Sequence, residues 1–254
     1  MSFKCLRRCF HLSVLSVLFM NVTSTAQAWT PIWNGEFNGS DLDPNYWVKE
    51  NRDTGWINAE AQSYTDRREN VRTENGNLVL EARRDWAKGE YTSGRIRSAR
   101  SFTYGRMEAR IQLPGGVGTW PAFFLLPDDQ TFGWPKMGEL DILEQVGFDP
   151  DTVLSAHHSQ SVHSTGTRHV PGATTGFHDY AVEWFPDHID TFVDGQKIFT
   201  TRNQNTGYDQ WPFNKSYHIV LTLAVGGNWG GQHGIDPNIW PRRMLVDYVR
   251  VYGF

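Results

Sequence analysis

The sequence predicts an all-β chain, a sandwich of two curved antiparallel sheets with one concave face. Three observations carry this reading. Short runs rich in β-branched and aromatic residues alternate with Gly, Asp, Asn and Pro. Helical periodicity is scarce after residue 28. Strand-like runs also follow one another without the helices that alternating β/α units require.

The leader comes first. Lys4, Arg7 and Arg8 make a positive start, residues 9–20 are mostly apolar, 21–25 are small and polar, and Ala26-Gln27-Ala28 is an A-x-A cleavage pattern. The apolar run is shorter than the ~20 residues that cross a bilayer. Residues 1–28 are therefore expected to be a signal peptide, and 29–254 one secreted domain beginning at Trp29. Cys5 and Cys9 leave with the leader, so a packed core rather than disulfides must hold the domain together.

Strands are then expected at 77–82, 105–113, 180–184, 189–193, 216–224 and 244–252. Asp194-Gly195 between Thr191-Phe192-Val193 and Lys197-Ile198-Phe199 predicts a two-residue hairpin, because both residues tolerate positive φ. Residues 159–169, rich in Ser and His, read as a loop. The formal charge is −4, and loss of the three basic leader residues takes the domain to −7, unlike the basic footprint of a nucleic-acid binder. No membrane segment is expected after the leader. All 11 tryptophans lie between Trp29 and Trp240, a supply that suits either a large β core or indole stacking on sugar rings.

The segment with most chemistry is 134–147, Trp-Pro-Lys-Met-Gly-Glu-Leu-Asp-Ile-Leu-Glu-Gln-Val-Gly. Glu139 and Asp141 alternate with Leu140 and Ile142, so the two acids share a face. Strict alternation would turn Glu144 into the core, where an unpaired carboxylate is costly. A one-residue bulge near Ile142 and Leu143 restores Glu144 to the acidic face. The Glu139 and Glu144 Cα atoms are then about four strand steps apart, roughly 13 Å, and long side chains can lean together across a sugar. Paired carboxyls of this kind serve retaining glycosidases as nucleophile and acid/base. Asp141 between them would orient the nucleophile, and three such neighbours cannot all ionise freely, so one proton should be retained near neutrality. Calcium binding by the same acids would need denser oxygen ligands from a loop.

At these residues the chain resembles glycoside hydrolase family 16, and within it the laminarinase-like endo-β-1,3-glucanases. The resemblance runs through Gly35-Glu36-Phe37-Asn38-Gly39, Asn70-Val71-Arg72 with Gly76-Asn77-Leu78, and Tyr91-Thr92-Ser93-Gly94-Arg95-Ile96. It continues through 104–110, Gly118-Thr119-Trp120-Pro121-Ala122-Phe123, the Glu139 strand, 180–184, 223–229 and 246–252. It implies a β-jelly-roll with an open cleft and a retaining double displacement. Glu139 would be the nucleophile, Glu144 the acid/base and Asp141 the assistant of Glu139. Asn58, Arg95, Trp120, Trp134 and His157 match positions lining the cleft. The resemblance implies no cofactor for catalysis, but it implies a structural Ca²⁺ held by Glu36, Asp247 and the Gly76 carbonyl. The expected partner is a β-glucan, and the expected state a monomer.

The chain departs from the laminarinase pattern at 58–62, Asn-Ala-Glu-Ala-Gln, at Phe123-Phe124, and at Ala156-His157-His158. These changes bear on subsites rather than mechanism. Mixed-linkage glucan, agarose or carrageenan stays open as substrate, as does transglycosylation. A non-catalytic glucan-binding protein on the same fold would lack Glu139 and Glu144.

Overall fold

The computed structural model describes residues 28–254. The predicted leader, with Cys5 and Cys9, lies outside them but for Ala28. In chain order the elements are β1 (Thr30–Glu36), β2 (Trp47–Lys49), β3 (Gln62–Tyr64), β4 (Val71–Glu74), β5 (Asn77–Asp85), β6 (Glu90–Ser93), β7 (Arg95–Phe102), β8 (Gly105–Gln112), β9 (Thr119–Pro127), β10 (Glu139–Val146), β11 (Asp149–His158), β12 (His163–His169), β13 (His178–Trp184), β14 (His188–Val193), β15 (Gln196–Arg202), β16 (Tyr217–Val225), the four-residue helix α1 (Gly227–Gly230) and β17 (Arg242–Gly253).

Two sheets form. The larger has ten strands in the order β15-β14-β13-β8-β17-β5-β6-β3, with β1 added to β17 and β4 to β5. The smaller runs β12-β11-β10-β9-β16-β7-β2. Pairing is antiparallel except between β3 and β6. The expected all-β jelly-roll sandwich is the fold observed.

Alternation explains why these residues make strands. In β8, Met107, Ala109 and Ile111 are fully buried, while Arg106, Glu108, Arg110 and Gln112 face outward. The inward residues of both sheets meet in one core, where the indole of Trp184 on β13 lies edge-on to Tyr217 on β16 at 5.2 Å. Between β14 and β15, Asp194 and Gly195 have φ of 49° and 70°, the positive pair that a tight hairpin needs.

The smaller sheet carries two apolar faces. On β9, Phe123 and Leu125 belong to the main core, while Ala122 and Phe124 join Val220 in a separate cluster on the other side. That second face floors the cleft. One expectation fails here: 163–169 is no loop but the edge strand β12, paired with β11 from Thr152↔His169 to His158↔His163. Its side chains alternate between exposed and half-buried, so its polar composition concealed a strand whose stability comes from backbone pairing.

Candidate active site

The bulge that the acids require is present. On β10, Asp141 pairs with Phe124 of β9 and Leu143 with Phe123, so Ile142 is the extra residue. The β11 side shifts too, from Asp141↔Ala156 to Glu144↔Leu154. Ile142 and Leu143 are both fully buried, and Ser155 Oγ donates to the Ile142 carbonyl at 2.7 Å. The Ile142 carbonyl therefore keeps a partner at the kink.

Register then assembles the site. One row across the sheet reads Arg95 (β7), Thr222 (β16), Ala122 (β9) and Glu144 (β10). The neighbouring row reads Arg97, Val220, Phe124, Asp141 and Ala156. Ala122 and Ala156 keep the floor low beside the carboxylates. The cleft is lined by Glu139, Asp141 and Glu144 together with Trp56, Asn58, Glu60, Arg95, Trp120, Phe124 and Trp134.

Each glutamate is held by an indole. Trp134 Nε1 donates to Glu139 Oε2 at 2.6 Å, and Trp120 Nε1 donates to Glu144 Oε1 at 3.0 Å. Trp120 is braced edge-on by Trp229 at 5.7 Å. Asp141 is buried and lies 3.0 Å from His158 Nε2. Burial first, then the charge of Asp141, pushes Glu139 up to about 8, while His158 and the Trp134 N–H pull the other way. Burial also raises Asp141. Glu144 is raised well above the usual carboxylate range, again by burial first and then by Asp141 and Glu139. Glu144, raised by burial and by both acidic neighbours, is thus suited to keep a proton, while an indole N–H and His158 pull both glutamates the other way.

Of the five residues matched to the cleft, four lie in it. Asn58 sits on an exposed wall in the left-handed region at φ 52°, its carbonyl accepting the Asn228 N–H at 2.8 Å. Arg95 is buried on β7, donating to Glu50 Oε2 at 2.6 Å, with its guanidinium 5.3 Å from the ring centroids of both Trp56 and Phe124. The fifth is a correction. His157 is buried on the core side, its Nδ1 2.8 Å from Thr201 Oγ1 and its Nε2 3.1 Å from Thr191 Oγ1 of the opposite sheet. Burial holds it neutral, down to about 3. The reason is parity: His157 pairs with core-facing Leu140, whereas His158 pairs with Glu139. His158 is the imidazole in the site, and the pairing partner of the first glutamate was the feature that could have identified it. Glu60 was also passed over. It is buried at the cleft wall and accepts from Gln62 Nε2 at 2.7 Å and Tyr64 OH at 2.9 Å.

The calcium expectation fares differently. Pairing brings Glu36 opposite Tyr248, next to Asp247, and Val246 opposite Leu78 near Gly76, so the three predicted ligands share one corner. Both carboxylates are engaged there by arginines, Glu36 with Arg250 Nε at 2.8 Å and Asp247 with Arg110 Nε at 3.5 Å. Among the described residues no cluster of three or more acidic, His or Cys side chains could hold a metal ion. As they stand, these side chains fit two ion pairs rather than a cage of six to eight oxygens.

A row of carboxylates on the concave face of a β-sandwich, gripped by cleft tryptophans, defines a carbohydrate-cleaving enzyme of the paired-carboxylate type. Comparison with known proteins gives the family. The model for "Glycosyl hydrolases family 16" matches residues 58–250, and the chain belongs to that family. It is 44% identical to a beta-glucanase of Rhodothermus marinus, over 97% of this chain and 94% of that one. The laminarinase structure from Rhodothermus marinus superposes with a TM-score of 0.85 at 43% identity, covering 89% of this chain and 97% of the other. The laminarinase of Flavobacterium sp. UMI-01 superposes with a TM-score of 0.83 at 37% identity, covering 88% and 100%. The chain is therefore a glycoside hydrolase, and catalysis in this family needs no cofactor.

Proposed function

We propose that this chain is a secreted, monomeric endo-β-glucanase that cleaves internal β-1,3 linkages of laminarin-like glucans by double displacement. The observation that carries the reading is the pair Glu139 and Glu144 on one cleft face, each gripped through one oxygen by a tryptophan. With Trp134 on Glu139 Oε2, Oε1 is the oxygen that attacks the anomeric carbon. An indole N–H only donates, so Glu144 Oε1 must be an acceptor and its proton sits on Oε2. That proton passes to the departing glycosidic oxygen as the C–O bond breaks, leaving a glycosyl ester on Glu139. Glu144, now charged, takes a proton from water, the hydroxide attacks the anomeric carbon, and Glu139 leaves as carboxylate.

Substrate choice is tested by product analysis on laminarin, lichenan, cellulose and agarose side by side. Short oligosaccharides of mixed length from laminarin are expected, with little release from cellulose or agarose. Cleavage of agarose alone would overturn the assignment. Secretion is tested by N-terminal sequencing of exported protein, which should begin at Trp29. A structural Ca²⁺ would have to draw Glu36 from Arg250 and Asp247 from Arg110, and a Tm lowered by chelator is the result that would establish it.

A further inference from the structure

Asp141 is almost wholly buried at the edge of the cleft. It meets His158, and His158 meets His163 on the edge strand, with the two Nδ1 atoms 2.8 Å apart. The rings lie 4.5 Å apart, and Trp134 covers His158 at 5.5 Å. We propose that His158, held by His163, is a positioning residue that keeps Asp141 charged and in place beside Glu139, so that this pair sets the acidic limit of turnover. The inference rests on the glycosidase reading above.

Hydrogen-bond bookkeeping carries it. Two Nδ1 atoms at that distance share one proton, so one ring donates and the other accepts. An ionised Asp141 needs a donor, so Nε2 of His158 carries a hydrogen. If His158 is neutral, its Nδ1 is bare and His163 must donate to it. If His158 is an imidazolium, its Nδ1–H donates to a bare Nδ1 on His163. Both arrangements keep an N–H on Asp141. The arrangement excluded is a neutral His158 with its proton on Nδ1, which would aim a lone pair at the carboxylate. Asp141 thus selects the useful tautomer of His158 and His163 completes it, and burial with the charge of His158 lowers the proton affinity of His163, which favours a neutral His163 accepting from His158.

The groups around His158 are Glu139, Asp141 and Glu144 on β10, His157 on its own strand and His163 on β12. Arg95 on β7 adds positive charge toward Glu139. Turnover needs one proton on the three carboxyls, at Glu144. A second proton stops attack by Glu139. Removing an imidazole from beside Asp141 makes that second proton bind more readily, so the acidic limb of the rate profile must move to higher pH.

The test is the pH profile of kcat/KM on laminarin for wild type, His158→Ala, His158→Gln and His163→Ala, each with a thermal melt. His158→Ala should raise the acidic limb by about 1 pH unit and lower kcat more than it changes KM. Gln keeps an N–H but not the charge, so His158→Gln should recover kcat at the optimum while the limb stays raised. His163→Ala should move the limb the same way by less. Folded His158→Ala and His163→Ala with unmoved limbs would overturn the inference. Histidine ¹⁵N spectra of the wild type supply a readout independent of activity and of variant folding. A single His158 species protonated at Nε2 is expected, and a rapidly exchanging tautomer mixture would overturn the inference. Absence of laminarin turnover by wild type would instead sink the proposed function and leave the spectra to decide the role of His158.

Discussion

In the proposed mechanism Glu139 must be charged to attack and Glu144 must be protonated to assist departure, yet both stand on one strand beside a third acid. Burial solves half of this by raising all three, so the site is bought with stability. Glu139→Gln should abolish turnover and also stabilise the fold. The sign follows from its direction of shift. A carboxyl raised from 4.5 to about 8 contributes stability below pH 4.5 that is lost as pH rises through 8. The variant lacks that loss, so its Tm advantage should be larger at pH 8 than at pH 5. Equal advantage at both would show that Glu139 carries no such shift. Trp134 makes the complementary case. It is 61% exposed, so Trp134→Ala should barely move Tm. Loss of its N–H from a charged oxygen removes about 1.5–3 kcal/mol, some ten- to a hundredfold in kcat/KM. A drop in Tm of the size expected for a core tryptophan would place it elsewhere.

At the scale of the element, β10 shows what alternation can and cannot reveal. The acidic face, the buried Leu140 and Ile142, and the need for a bulge were legible because a buried unpaired Glu144 is too costly to accept. The facing strand was not, because Ala156-His157-His158 offers two histidines and sequence alone carries no register. The choice between them depends on which residue pairs with Glu139. Edge strand β12 was missed for a related reason: alternation of polar with polar leaves no hydrophobic pattern to read. The bulge itself is testable. Deleting Ile142 removes the extra residue and leaves Glu-Leu-Asp-Leu-Glu, which a regular strand presents with all three acids on one face. A folded variant with detectable turnover is expected from urea melts and activity assays. A folded but inactive deletion variant would mean that the bulge does more than correct the parity of Glu144.

At the scale of the whole molecule, the two sheets are joined by an apolar core that polar contacts cross at several places, among them Ser93 Oγ to the Leu223 carbonyl and a bridge through His157. His157 reaches from the smaller sheet to Thr191 and Thr201 of the larger. Its proton affinity is depressed from 6.5 to about 3, so the stability it contributes is present above pH 6.5 and lost as pH falls toward 3. Melts of His157→Asn should show a lower Tm at pH 7 but a shallower acid decline than wild type. An identical decline would assign acid lability to other groups. No helix among the described residues is long and apolar enough to cross a membrane. The sandwich follows from patterning spread over the chain, which is why the fold class was more legible than the calcium corner, where Arg250 and Arg110 each engage one of the carboxylates.

The double displacement is tested most directly with Glu144→Ala and a dinitrophenyl β-1,3-gluco-oligosaccharide. That leaving group needs no acid, so Glu139 should still form its ester, but water without a base should release it slowly. Azide needs no base, and added azide should restore turnover. The anomeric configuration of the glycosyl azide, read by NMR, then decides. A β-azide is the product of two inversions and is the result expected here. An α-azide would mean a single displacement, and Glu139 could not be the nucleophile.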